Sequence, residues 1–421
     1  MKKRYLMLAL IILMFSLSVV SASENVSVAN DTLAIDDGGL SVIEESSDSI
    51  IETDNSDAGS TEDTGNESNS TDSDNGTNAS SNNTQTTDDK PVVSKPKPAK
   101  ITNTKDISTT YGTVVYYKVK VLDNAGKPIK GQEVSFTIEG KGTVIKYTDE
   151  SGIAMVSCNC PAGSYVIKYK ADKLTGSNKY TVKNKISLTV LNWGIKGDVT
   201  KNSLIKKNMP NNAWIKKIVA ATKKGIPLLT IKGGKGEVVF MTAGVHGNEI
   251  SSQVAAMKMI DYLTKNPIKG TVYFMPFVNV KAISKKVRYT DKDFNRIADK
   301  SGTIPNKIVK LVKKYKCDAY GDFHTTKPGG APGKNIVMGS KTPAAESAKL
   351  TKYIAKNCKV NQKIYKYAGQ QYPGGINDNV NKLGIPAVIC EVMLPHNTVT
   401  TKTVKTSYNM MKYLLKYYSV I

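Results

Sequence analysis

The stretch Glu237-Val238-Val239-Phe240-Met241-Thr242-Ala243-Gly244-Val245-His246-Gly247-Asn248-Glu249-Ile250-Ser251-Ser252-Gln253-Val254 decides the fold. Residues 237–243 form an apolar run of strand length, and Gly244 to Asn248 read as a turn. Beyond it Ile250, Val254, Met257 and Ile260 recur three or four apart, the spacing of one helix face. A buried strand leading directly into a helix is the unit of an α/β sheet. Residues 271–277 and 386–393 are two further buried strands, so residues 191–421 are expected to form an α/β domain. Ligands in such sheets gather at the carboxyl ends of the strands.

The reactive residue types stand at those ends. His246 and Glu249 lie three apart across the strand-to-helix turn, a spacing that lets both face one metal ion. The chain has three histidines, and the second, His324, ends another strand-like run, Tyr320-Gly321-Asp322-Phe323-His324-Thr325. A lone histidine ending a strand is usually structural. Two of three in that position, one with Glu at i+3, suggest a His, Glu, His set that leaves one zinc position open. Arginine usage points the same way. Outside Arg4 the chain carries only Arg288 and Arg296, eight residues apart, against 56 lysines. Lysine replaces arginine poorly where a planar, two-pronged grip on an oxyanion is required. Glu391 sits within the apolar run Ala387-Val388-Ile389-Cys390-Glu391-Val392 and should face a cleft or a cation, because an unpaired buried carboxylate is costly. The third histidine, His396, reads equally as a cleft residue or a plain surface one. The segment 327–334 reads as a mobile lid after His324 and lacks the residues of a phosphate-binding loop.

The rest of the 421 residues divides sharply by charge. Residues 24–90 hold 17 acidic side chains against Lys90 alone, whereas residues 91–421 carry a net charge of +36. Lys2, Lys3 and Arg4 followed by the apolar run 5–20 and Val20-Ser21-Ala22 read as an export signal over residues 1–22. Cleavage after Ala22 is the leading reading and an uncleaved anchor the other. Residues 23–97 are Ser-, Thr-, Asn- and Asp-rich and are expected to be a disordered linker. Its seven Asn-x-Ser/Thr triplets, from Asn25 to Asn82, fit either a glycosylated stalk or chance in such text. Residues 98–190 alternate apolar and polar with turns at 123–128 and 149–152, the pattern of a β-sandwich. It resembles, loosely, the immunoglobulin-like modules of bacterial and archaeal surface adhesins. Five cysteines at positions 158, 160, 317, 358 and 390 show no zinc-ribbon spacing and read as structural or neutral. The scattered lysines come with no nucleic-acid motif, so nucleic acid is not the expected partner. An anionic wall polymer fits an exported basic protein better.

Four motifs in order, Gly244 to Glu249, Arg288 to Arg296, Asp322 to Thr325 and Cys390 to Val392, resemble the zinc carboxypeptidase clan, particularly its succinylglutamate desuccinylase/aspartoacylase branch. The resemblance implies that His246, Glu249 and His324 bind one Zn2+ and that Glu391 is general base and then proton donor. It implies that Arg288 polarises the scissile carbonyl and that Asn295 and Arg296 grip a substrate carboxylate. Tyr372 is the candidate for the tyrosine near the substrate. The expected fold is therefore a mixed sheet flanked by helices at 191–421, preceded by the sandwich and the linker. The expected activity is hydrolysis of an amide bond in a peptide or an N-acyl amino acid, secreted or at the cell surface, with wall peptides as one substrate class. Peptidase and deacylase are not separable at this level. The competing expectation is a surface adhesion or binding protein whose α/β domain is a retired scaffold. Membrane contact is expected only through an uncleaved signal.

Overall fold

The computed structural model describes residues 41–44 and 95–421. The expected export signal lies outside them, as does all of the expected linker except residues 41–44 and 95–97. Strand β1 is Ser41–Glu44, which within a segment expected to lack structure pairs antiparallel with a later strand. Eight strands then fill residues 100–183: β2 (Lys100–Thr102), β3 (Ile107–Thr110), β4 (Val115–Leu122), β5 (Glu133–Ile138), β6 (Gly142–Tyr147), β7 (Ile153–Cys158), β8 (Gly163–Ala171) and β9 (Leu174–Lys183). They form a three-stranded sheet, β2-β4-β7, and a five-stranded sheet, β3-β9-β8-β5-β6. Alternation produces this arrangement directly. Tyr117, Val119 and Val121 of β4, Val134 and Phe136 of β5, and Ile167 and Tyr169 of β8 all turn into one shared core. Asp123 and Asp149 each accept two backbone N–H bonds at their turns, which fixes the corners where the chain passes from one sheet to the other.

The second unit begins earlier than the sequence pattern indicates. Strand β10 (Lys185–Leu191), assigned above to the end of the sandwich segment, belongs to the α/β sheet, where it pairs residue by residue with β11 (Ile226–Lys232). Alternation continues through it from β9, so local pattern cannot separate the two sheets. Between them come helices α1 (Ser203–Lys207) and α2 (Ala213–Ala221). Then follow β12 (Val238–Ala243), α3 (Ile250–Lys265), β13 (Thr271–Met275), α4 (Val280–Lys285), α5 (Ile304–Lys314), β14 (Ala319–Thr326), β15 (Ile336–Thr342), α6 (Glu346–Cys358), β16 (Asn361–Tyr367), α7 (Ile376–Asn381), β17 (Ala387–Met393) and α8 (Thr401–Tyr417).

These strands build a nine-stranded mixed sheet in the order β1-β10-β11-β13-β12-β14-β17-β15-β16. Its centre, β13-β12-β14-β17, is parallel, and the strands joining it to either side are antiparallel. The central strands are buried on both faces, which is why β12 and β17 read as nearly continuous apolar runs, while β14 carries the buried polar residues Asp322, His324, Thr325 and Thr326. Chain order reverses at β12, because β13 is laid on one side of it and β14 on the other. That topological switch opens a crevice above the carboxyl ends of β12 and β14. Helix α3 is buried along most of its length, with Met410, Met411, Leu414 and Leu415 of α8 in the same apolar cluster. Among the described residues no helix is long and apolar enough to cross a membrane, and all five cysteines are unpaired.

Candidate metal centre

Two glycines explain why the turn after β12 has its sequence. Gly244 holds φ +70°, in the left-handed region that glycine adopts without penalty. A side chain on Gly247 would place its Cβ 2.3 Å from the Ala282 backbone, so only glycine lets the turn lie against α4. The turn is then tied down. Gln253 Nε2 donates to the carbonyls of His246 (3.0 Å) and Gly247 (3.3 Å), and Gly247 N–H donates to the Arg288 carbonyl. Glu249 stands at the N-terminal end of α3, where the helix dipole favours a carboxylate.

Within this frame three donor atoms converge. His246 Nδ1 lies 2.8 Å from Glu249 Oε1, and His324 Nδ1 lies 2.9 Å from Glu249 Oε2. The donor atoms of His246, Glu249 and His324 all lie within 4.8 Å of one another, and all three residues are buried. The outer ring nitrogens are held by other groups. His246 Nε2 is 2.8 Å from Asp293 Oδ1. His324 Nε2 lies between Asp322 Oδ2 at 3.0 Å and Asn295 Nδ2 at 3.1 Å. Imidazoles held from behind by carboxylates, with their other nitrogens turned to a common point, have the arrangement of a transition-metal site. The electrostatics agree. Burial alone would raise the Glu249 carboxyl, but His246 and His324 outweigh it and hold Glu249 well below the usual range. Burial alone would lower His324, but Asp322 and Glu249 raise it well above the ordinary value. A divalent cation at the common point would satisfy the same charges.

Glu391 completes the centre. Its strand runs parallel to β14 with Glu391 opposite His324, so both side chains leave the sheet on one face. Burial pushes its carboxyl up to about 8, with His324 pulling the other way. Its Oε2 is buried without a partner. Among the described residues ten buried side-chain atoms lack a hydrogen-bond partner, and Asn248 Oδ1, Gln253 Oε1, Thr325 Oγ1 and Glu391 Oε2 belong to this neighbourhood, as does Asp322 Oδ2, whose 3.0 Å approach to His324 Nε2 is an ion-pair contact rather than a hydrogen bond. Such a concentration marks a place built for water, ion or substrate.

Arg288 lies at the rim with its side chain 35% exposed. Nη1 donates to Glu249 at 2.9 Å, and Nε and Nη2 reach Asp293 Oδ2 at 3.4 and 3.3 Å, which leaves two of its five N–H directions for a ligand. Arg296 is exposed and stacks on Tyr372, its guanidinium carbon 4.2 Å from the ring centroid, so these two candidates do meet. Asn295 is held more tightly than the sequence reading required. It is buried, its Oδ1 accepts from Ile376 N–H, and its Nδ2 faces His324 Nε2, so the expected substrate contact would be left to its one remaining amide N–H. Three contributors were not assigned from sequence. Asp322 was legible in principle, since it stands two residues before His324 on the same strand face. Asp293 was not, because its link to His246 spans 47 residues. His396 comes into the centre from the loop after β17, its Nε2 donating to the Thr325 carbonyl at 3.1 Å.

The fold and centre define an α/β protein with a His-Glu-His group able to hold a metal. Residues 235–331 match the family model described as the succinylglutamate desuccinylase/aspartoacylase catalytic domain, a family of hydrolases. His246, Glu249, Arg288, Asn295, Arg296 and His324 fall inside the matched stretch, and Glu391 and His396 outside it. No curated protein matches the chain. Solved structures with local likeness include a succinylglutamate desuccinylase/aspartoacylase from Rhodobacter sphaeroides, 22% identical, covering 47% of this chain and 60% of its own, with a TM-score of 0.36. The product-bound ectoine utilization protein EutE (DoeB) from Ruegeria pomeroyi is 17% identical, with coverage of 48% and 64% and a TM-score of 0.39. The tripeptide-bound cell shape determinant Csd4 from Helicobacter pylori is 14% identical, with coverage of 44% and 52% and a TM-score of 0.35. The chain thus spans less than two thirds of each of these proteins.

Proposed function

We propose that the α/β unit is a zinc-dependent hydrolase of amide bonds, acting on peptides or N-acyl amino acids. The observation that carries this reading is the convergence of His246 Nδ1, His324 Nδ1 and the Glu249 carboxylate beside the unpartnered carboxyl of Glu391. The donor set fits zinc, which takes two imidazoles and a carboxylate in open catalytic sites. When bound, the ion supplies Lewis-acid chemistry, polarising a carbonyl and acidifying a water. The rest falls to the protein. Glu391 takes a proton from the attacking water and returns it to the leaving amine, and a neighbouring cation would draw its raised carboxyl into the ionised, basic form. Arg288 offers its two remaining N–H groups to the carbonyl oxygen as charge develops there. Arg296, stacked on Tyr372 and with Nη1 donating to the Asn295 carbonyl, offers its remaining N–H groups to a substrate carboxylate.

The setting of the enzyme is part of the same proposal. Residues 1–22 export the chain, an acidic segment follows, the sandwich is an immunoglobulin-like spacer, and the basic body meets anionic wall polymer, with wall peptides as substrates. The test is metal content and hydrolysis by the full chain purified without added metal. About one zinc per chain, together with release of product from wall tripeptides or N-succinyl amino acids, is the expected result. No bound metal after zinc is supplied refutes the reading.

A further inference from the structure

All three histidines of the chain meet at one centre, and the third has no place in the reaction outlined above. His396 lies on the loop that leaves β17, five residues after Glu391. Its ring bridges the loops on either side. Nε2 donates to the Thr325 carbonyl at 3.1 Å, which leaves Nδ1 to accept from Asn248 Nδ2 at 3.2 Å. Thr325 follows His324, and its own N–H donates to Glu249 Oε2 at 2.9 Å. Asn248 precedes Glu249. The flanking residues repeat the same joins. Leu394 N–H donates to the Thr326 carbonyl, and Asn397 N–H donates to the Asn248 carbonyl at 2.8 Å. Asn397 Nδ2 donates to the Lys286 carbonyl at 3.0 Å, two residues before Arg288. The segment 394–397 therefore ties the strand of the base to three segments: the turn of His246 and Glu249, the strand end of His324, and the approach to Arg288. His396 Nε2 stands 4.0 Å from Glu249 Oε1 while its side chain keeps 21% of its surface exposed.

We propose that His396 is a positioning residue, a clasp that adds to the β14–β17 ladder pairing His324 with Glu391 and holds the strand of the Glu391 carboxylate against the turn of His246 and Glu249. A hydrophobic contact could close the loop equally well. Two hydrogen bonds from opposite sides of one flat ring fix direction as well as distance, and a base must stand within hydrogen-bond reach of the proton it takes. The inference rests on the metal-hydrolase reading and goes beyond it by giving a role to a residue outside the four motifs.

The experiment uses the full chain with His396→Ala and His396→Gln. Gln places an amide N–H near the position of Nε2 and so restores the bond to Thr325. In metal-free protein, hydrogen exchange of residues 394–400 should speed up in His396→Ala and return towards wild type in His396→Gln. Zinc affinity, by competition with a chromophoric chelator, should weaken ~10-fold in His396→Ala with about one zinc still bound at saturation, in the range for residues that orient metal ligands. The visible spectrum of the cobalt-loaded protein should shift, and kcat should fall ~10²-fold with KM little changed, as misplacement of a reacting group predicts. Wild-type zinc affinity and spectrum in a folded His396→Ala protein overturn the inference and leave the hydrolase reading intact. So does faster exchange without any change in affinity or kcat, which makes the clasp merely structural, and so does failure of His396→Gln to recover. If wild type itself binds no zinc, the hydrolase reading falls and this inference with it.

Discussion

Replacing Glu391 by Gln separates two consequences of one buried carboxyl. Burial raises Glu391 from the ordinary 4.5 to about 8 in the folded protein. In the unfolded chain it reverts to the ordinary value. Between those values the folded state binds the extra proton, so stability is fully present below about pH 4.5 and is lost as pH rises towards 8. The full displacement corresponds to roughly 5 kcal/mol by the conversion of about 1.4 kcal/mol per pH unit. Gln keeps the shape and cannot ionise, so its protein should lack this loss. Metal-free wild type and Glu391→Gln should be unfolded by denaturant at intervals from pH 4.5 to 9. The variant should gain on wild type steadily up to about pH 8 and hold that lead beyond it. With zinc supplied, the same variant should bind about one ion and lose hydrolysis ~10³-fold, about 4 kcal/mol of barrier, since a positioned general base contributes ~10²–10⁴. A stability difference that stays flat across the whole pH range refutes the claim that Glu391 is buried and unpaired. Retained hydrolysis refutes its role as base.

The remaining expectations are simpler. His246→Ala combined with His324→Ala should take bound zinc from about one per chain to none, measured by elemental analysis. Asp293→Asn removes the carboxylate that holds both His246 Nε2 and Arg288, and zinc affinity in a chelator competition should fall ~10–100-fold. Retention of full affinity would show that Asp293 does not orient His246. Gly374→Ala would place a Cβ 2.1 Å from the Arg296 carbonyl oxygen. It should cost ~1–3 kcal/mol in denaturant unfolding and raise KM through displacement of the Arg296 and Tyr372 pair, and unchanged KM would free that pair from substrate binding.

What could be read without coordinates was whatever a short stretch of chain determines by itself. The strand, turn and helix around Gly244 show in local periodicity, and His246 and Glu249 face one point because three residues across a single turn leave them little alternative. Glu391 was recognisable because a mainly apolar run marks a doubly covered parallel strand, and His324 because it ends a shorter strand-like run, Tyr320 to Thr325. What the chain left open depended on which distant segments pair. Alternation runs unbroken from β9 into β10, so only hydrogen bonding to β11 shows that residues 185–191 belong to the second sheet. Nothing in the sequence signalled that the fold would bring Ile376 N–H and His324 onto the two amide atoms of Asn295, from 81 and 29 residues away. Asp293 acquires its histidine, and His396 its two partners, through contacts of the same kind. Spacing along the chain sets geometry within one turn of backbone. The parallel register of β12, β14 and β17 sets it across the centre, and that register comes from packing the whole sheet at once.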